Sequence, residues 1–236
     1  MPYLSLYDLA ASPDLIAELR REIVPILSAH NGIMSTHALQ AMKKLDSFLK
    51  ESLRFHPPSA SSFQRKVRKS FKLSTGETIP AGVVIEVATH AITRDPDAFD
   101  DAEKFRPLRF YEMRHRSSGE TETAPKHQFV SVSAKSLSFG YGRHACPGRF
   151  FAANELKMIL ATLIVRYDVR LAEGQTERYR NLDFGASVCV TFSFLHFFIW
   201  IYLPVPLERK DFVSALGVGA DAVYLVDPGP EQGVAV

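Results

Sequence analysis

The chain has 236 residues, 46% hydrophobic and 23% charged, the make-up of a packed globular protein rather than a disordered or fibrous one. A net charge of +2 is too small to draw it to nucleic acid, so no nucleic-acid partner is expected. Two cysteines, Cys146 and Cys189, do not make a disulfide framework, and the opening Met1-Pro2-Tyr3-Leu4 is neither a secretory signal nor a membrane anchor.

The first elements read as helices. Ser12-Pro13 supplies a cap and a first helical residue, and Ile16, Leu19, Ile23 and Ile26 follow at helical spacing until Asn31-Gly32. Thr36 is placed to cap a short second helix. A third carries Leu45, Phe48, Leu49 and Leu53 on one stripe and ends at His56-Pro57-Pro58, because proline disfavours helix in the residue before it. Strand signals follow. Val67 to Leu73 alternates loosely, Ser74 to Glu77 is a turn, and Thr78 to Val87 is strand broken at Pro80-Ala81-Gly82. Together these predict a small β-sheet. Arg94-Asp95-Pro96-Asp97 is another turn, and residues 100–135, rich in charge, proline, serine and threonine, read as an extended, loop-dominated meander. Ala152, Leu156, Ile159, Leu160 and Leu163 then stripe a helix whose first residue is predicted at Pro147. Residues 188–203 hold almost nothing polar, yet fall short of the ~20 apolar residues of a spanning helix. A buried strand pair, a membrane segment and sequence foreign to the rest of the chain all fit that run.

Chemistry concentrates in Phe139-Gly140-Tyr141-Gly142-Arg143-His144-Ala145-Cys146-Pro147-Gly148. Gly140 and Gly142 permit backbone angles closed to other residues and leave the face of a flat ligand unblocked. Cys146 stands just ahead of a helix, where unpaired backbone N–H groups point outward and favour an anion, here the thiolate. A lone cysteine before a helix is usually a small core residue. The phenylalanine and glycines upstream, with Pro-Gly downstream, set this one apart as a ligand for iron.

This segment resembles the cysteine-ligand loop of the cytochrome P450 haem-thiolate monooxygenases, whose iron takes a cysteine thiolate as axial ligand. The resemblance implies that Cys146 is the proximal iron ligand of a haem b and that Phe139 shields its sulfur. The family commonly has arginine two residues before the cysteine, paired with a haem propionate. This chain has His144 there, which would donate instead, and the surrounding Gly-Arg-His-Ala-Cys-Pro-Gly-Arg-Phe-Phe-Ala is similar to fungal members. Arg65, between the Pro-Pro break and the first strand, would reach a propionate, or else lies on a solvated basic face with Lys66, Arg68 and Lys69. Arg143 and Lys135 would lie on the proximal side and help dock an electron donor. Glu51-Ser52-Leu53-Arg54 matches the family's Glu-x-x-Arg signature, which is structural rather than catalytic. Such a pair contributes little when exposed. Its third partner would be Arg109 in Phe105-Arg106-Pro107-Leu108-Arg109-Phe110, where Leu108 replaces the usual acid; otherwise Arg109 is a surface charge.

The fold so implied is mainly α with a small β-sheet, an incomplete, C-terminal part of the cytochrome P450 fold. The resemblance runs from about Leu6 to Val188. Residues 1–188 are expected to be a partial haem-binding region, and 189–236 a tail outside the family, of the kind an intron read-through or frame change leaves. The family's long distal helix with its acid-threonine pair finds no counterpart, since Ser35-Thr36 lies in a loop-like stretch. The implied activity is insertion of one oxygen atom from O2 into a small apolar substrate in fungal secondary metabolism. NADPH-cytochrome P450 reductase would supply electrons, and the endoplasmic reticulum membrane is the family's location. The alternative is a truncated remnant that turns nothing over. No side chain is expected to be catalytic in its own right.

Overall fold

The computed structural model describes residues 2–116, 127–171, 174–178, 181–184, 187–189 and 223–226. Helix α1 (Pro2–Ala10) turns at once into α2 (Pro13–Ala29), the turn closed by Ser12 N–H on Leu9 O at 2.8 Å. Pro13 occupies the first position of α2, where its missing N–H has no partner to lose. Ser12 caps by its backbone alone. Leu15, Ile16, Leu19, Ile23 and Leu27 are buried, so the sequence stripe does face the core. Asn31 and Gly32, at φ 53° and 73°, end the helix as expected, with Gly32 N–H bonding Leu27 O at 2.8 Å.

Helix α3 (Thr36–Ala41) is capped by Ser35, not Thr36. Ser35 still has extended backbone, which lets its Oγ accept the Ala38 N–H at 3.2 Å, whereas Thr36 is already helical. Helix α4 (Lys43–Phe55) and helix α7 (Arg149–Arg166) complete the helical layer. Phe48, Leu49, Leu160 and Ile164, all fully buried, join α4 and α7 in one apolar core with α1 and α2. Each such side chain contributes roughly 1.5–3 kcal/mol by leaving water.

The strands form separate two-stranded pairs rather than one sheet. β1 (Ser62–Lys66) runs antiparallel to β4 (Val84–Val87), and β2 (Phe71–Lys72) to β3 (Thr78–Ile79). The first strand therefore lies upstream of the predicted Val67–Leu73, and Arg65 sits inside it, opposite Ile85. Alternation missed it because the pairing is irregular between Ser62 and Arg65, where Phe63 takes φ 62°. Further along, β5 (Asp168–Leu171) pairs with β8 (Val223–Val226), and β6 (Leu182–Phe184) with β7 (Ser187–Cys189). The apolar run beyond Cys189, up to residue 203, lies outside the described residues. No helix among the described residues is long and apolar enough to cross a membrane.

Two helices were not announced by the sequence, one ahead of the meander and one within it. α5 (Thr89–Thr93) is one short turn, and α6 (Arg109–Arg116) packs on α4. Only Arg109 and Phe110 of α6 are buried, so its apolar stripe is too short to register as a period. Phe110 meets Phe99 edge-to-face at 6.1 Å.

Candidate functional site

Helix α4 turns its charged residues inward. Asp46, Lys50, Glu51 and Arg54 are 6%, 4%, 0% and 4% exposed, levels such residues reach only when paired. Glu51 accepts Arg54 Nε and Nη2 at 2.8 Å each, Arg109 Nε at 3.1 Å and the Arg106 backbone N–H at 2.8 Å. The remaining guanidinium N–H groups reach main-chain carbonyls: Arg54 Nη1 donates to Thr93 at 2.6 Å and Ala102 at 2.8 Å, and Arg109 Nη2 to Lys104 at 2.9 Å. Arg109 is thus a buried member of the cluster, not a surface charge. One carboxylate and two guanidiniums bind residues 93–109 to the helix. Taking away one partner leaves buried charge uncompensated, a loss of roughly 3–5 kcal/mol.

Four more clamps on α4 come from residues the sequence did not single out. Glu22 of α2 accepts the Lys44 and Leu45 N–H groups at 2.8 and 3.1 Å, capping α4 from a neighbouring helix. Burial raises the Glu22 pKa, and those N–H groups only partly offset it. Asp8 of α1 accepts Ser52 Oγ at 2.7 Å and lies 3.2 Å from His56 Nε2, tying the other end. Asp46 meets Lys157 Nζ of α7 at 2.7 Å, the Phe129 N–H at 2.9 Å, and Arg114 of α6. Burial alone would raise the Asp46 pKa, but the Lys157 and Arg114 charges outweigh it and hold the carboxyl below its ordinary range. Lys50 donates to Gln128 O at 2.7 Å and Ser131 O at 3.1 Å, and burial drops its pKa to about 8.

The cysteine loop grows out of this scaffold. Phe139 is half-buried against the core, its ring edge-on to Phe129 at 5.3 Å. Its carbonyl accepts the Cys146 N–H at 2.7 Å and closes the loop. Gly140 takes φ +75°, and a Cβ there would come within 3.2 Å of His144 O, so the loop closes only around glycine. Gly142, at φ +64°, opens a single tight turn over Gly142–His144. Cys146 is a free, exposed thiol. Pro147 and Gly148 form a turn, so α7 begins at Arg149, two residues after the predicted start. Gly148 serves as its cap residue, its carbonyl accepting the first helical bond from Ala152 N–H at 2.9 Å. Arg149 reaches back to Cys146 O at 2.7 Å and to Val130 O at 3.2 Å.

The structure brings Phe139, His144 and Cys146 into one loop. His144 is exposed, and its Nε2 lies 3.1 Å from Arg143 Nε, which donates to it. Arg65 belongs to β1. Its guanidinium covers the Phe63 ring at 4.2 Å and donates to Gln64 O at 2.7 Å, both within its own strand. Lys135 is exposed, with Nζ 3.3 Å from Asp97 O. Ser35 is engaged in the α3 cap. The donor set offered by the loop is one open sulfur, flanked by glycines that leave room and backed by a core-anchored ring. That is the axial complement of an iron already held in a macrocycle, so the residues present fit a haem. Among the described residues, no three His, Cys, Asp or Glu side chains gather to hold a metal ion by themselves.

Residues 3–189 match the family model for cytochrome P450. Cytochrome P450 monooxygenase ATR3 of Stachybotrys chlorohalonatus is 42% identical over 183 residues, covering 77% of this chain and 38% of that protein. Cytochrome P450 monooxygenase braC of Annulohypoxylon truncatum is 40% identical over 184 residues, covering 78% and 36%. Cytochrome P450 monooxygenase 103 of Postia placenta is 44% identical over 184 residues, covering 78% and 35%. The chain thus spans little more than a third of the length of these relatives.

Proposed function

The chain belongs to the cytochrome P450 family, and from that membership we propose that it provides the proximal, thiolate side of a haem-dependent monooxygenase. The reaction is insertion of one oxygen atom from O2 into a small apolar substrate. The observation that carries this reading is the exposed Cys146 thiol, held at the end of a glycine-closed loop by the 2.7 Å bond from its N–H to Phe139 O. A bound haem b, its iron held by Cys146, would supply the redox chemistry of oxygen insertion.

The chain's own residues hold and orient. Cys146 would bind the iron, and the Phe139 ring would shield its sulfur once haem covers the open side. His144 would donate to a propionate. Arg65 would serve the other propionate after its guanidinium swings off the Phe63 ring. Arg143 and Lys135 would face the electron donor, an NADPH-dependent cytochrome P450 reductase at the endoplasmic reticulum membrane. The place we propose for it is fungal secondary metabolism; the organisms of its relatives, Stachybotrys, Annulohypoxylon and Postia, support the fungal part of that reading. Residues 1–188 act here as the haem-binding region, and 189–236 as a tail of separate origin.

Titration of the purified chain with haemin, followed at the Soret band, tests the reading. A saturable one-to-one complex that Cys146→Ala weakens at least tenfold is expected. A chain that takes up no haemin, or a variant that binds as tightly as wild type, contradicts it. The remnant alternative predicts weak haemin binding or none, and no NADPH consumption when reductase and O2 are added.

A further inference from the structure

The loop that presents Cys146 has two arms, and both end on the same short stretch of α4. The upstream arm is residues 127–131. Asp46 accepts the Phe129 N–H at 2.9 Å, and Lys50, one turn along, donates to Gln128 O and Ser131 O at 2.7 and 3.1 Å. Arg114, paired with Asp46, also donates to His127 O at 2.7 Å. The downstream arm is α7, whose Lys157 meets the other Asp46 oxygen at 2.7 Å. At the thiol end, Arg149 closes the ring by donating to Cys146 O and Val130 O. Inside the ring, Phe129 presses on Phe139, whose carbonyl holds the Cys146 N–H.

This arrangement has a direct mechanical consequence. Phe129 carries the Asp46 bond on its N–H and the Phe139 contact on its ring, so a shift of the upstream arm passes through Phe139 to the sulfur. The charges act in the same direction. Asp46 is the carboxylate between Lys157 on one arm and Arg114 beside the other, and all three side chains are less than a tenth exposed. Without it the two cations repel each other, which pushes α7 away from Arg114 and the His127 end of the upstream arm that Arg114 holds.

We propose that Asp46, with Lys50 beside it, positions Cys146 by clamping both arms of its loop to helix α4. The proposal deepens the reading of Cys146 as the haem ligand and rests on it for its functional meaning. It assigns these residues no contact with haem or substrate.

Hydrogen exchange of the full 236-residue chain without haem, read by mass spectrometry, tests the clamp. Asp46→Asn is expected to raise exchange across residues 139–149 by on the order of tenfold, the factor a lost hydrogen bond to a charged group corresponds to. Exchange in α2 is expected to stay as in wild type. Unchanged exchange in residues 139–149 overturns the proposal. Should Asp46→Asn raise exchange everywhere, Lys50→Met, which cuts a separate tie to the same arm, is read instead. A rise confined to residues 127–149 then supports the clamp, and no rise or a uniform one overturns it. Because this readout contains no haem, it fails independently of the ligand reading, which falls if the chain takes up no haemin or if Cys146→Ala binds it as tightly as wild type. In the haem-loaded chain, Asp46→Asn is expected to lower the thiolate fraction of the reduced carbon-monoxide spectrum, and Asp46→Glu to restore part of it.

Discussion

Helix α4 and the Cys146 loop belong to one packed unit yet treat polar groups in opposite ways. On α4, Asp46, Ser47, Lys50, Glu51 and Arg54 are buried, and each is hydrogen-bonded to chain outside the helix. On the loop, Tyr141, Arg143, His144 and Cys146 stand exposed. A buried charge in low dielectric demands its full set of partners, so the polar groups of α4 are committed to holding the fold. The loop keeps its side chains open for a ligand and relies on backbone bonds and on Arg149 for its shape. The difference separates residues that build the scaffold from residues left open, as the proposed haem site requires.

The contrast breaks first at Glu51. Glu51→Ala leaves Arg54 and Arg109 buried without a carboxylate and is expected to cost roughly 3–5 kcal/mol in urea denaturation. A loss below about 1 kcal/mol would put Glu51 on the same footing as an exposed pair. Glu22→Ala, which uncaps α4 from outside, is expected to cost roughly 1 kcal/mol by the same measurement. Lys50 sharpens the picture through pH. Its pKa falls from 10.5 to about 8 on burial, so between those values the unfolded chain holds a proton that the folded chain has released. Stability contributed by this group therefore rises as pH climbs through that window. Paired denaturation curves should show a steeper rise for wild type than for Lys50→Met, and equal slopes would mean that Lys50 is not desolvated.

How far the sequence reveals this division depends on whether a signal is local. Glu51, Arg54, Arg109 and the cysteine loop stand in short patterns, so they were legible, as were the α2 and α4 stripes. Asp46 and Lys50 were not. They lie off the Leu45, Phe48, Leu49, Leu53 stripe, and helical periodicity assigns that side to solvent. What buries them comes from Arg114 and Phe129, 68 and 83 residues along the chain. Nothing near Asp46 announces those partners. Glu22 was hidden in the same way, since capping is sought in the residues just before a helix and not on a neighbouring one. Strand β1 escaped because Phe63 breaks its alternation, and α6 because most of its residues stay at the surface. Pro147 misled by a true local preference, as the turn it forms with Gly148 delays α7 to Arg149.

At the loop, Cys146→Ala removes an exposed thiol and is expected to change stability by no more than about 0.5 kcal/mol. That small effect on the fold makes the residue's ligand role separable from its structural one. The most direct measurement is the reduced carbon-monoxide difference spectrum of the haem-loaded chain, wild type against Cys146→Ala. Wild type is expected to show the red-shifted Soret band of a thiolate-ligated iron, and the variant to lose it while melting at the wild-type temperature. A variant that keeps the band, or a wild type that binds haem without it, would contradict the assignment of Cys146 as the iron ligand.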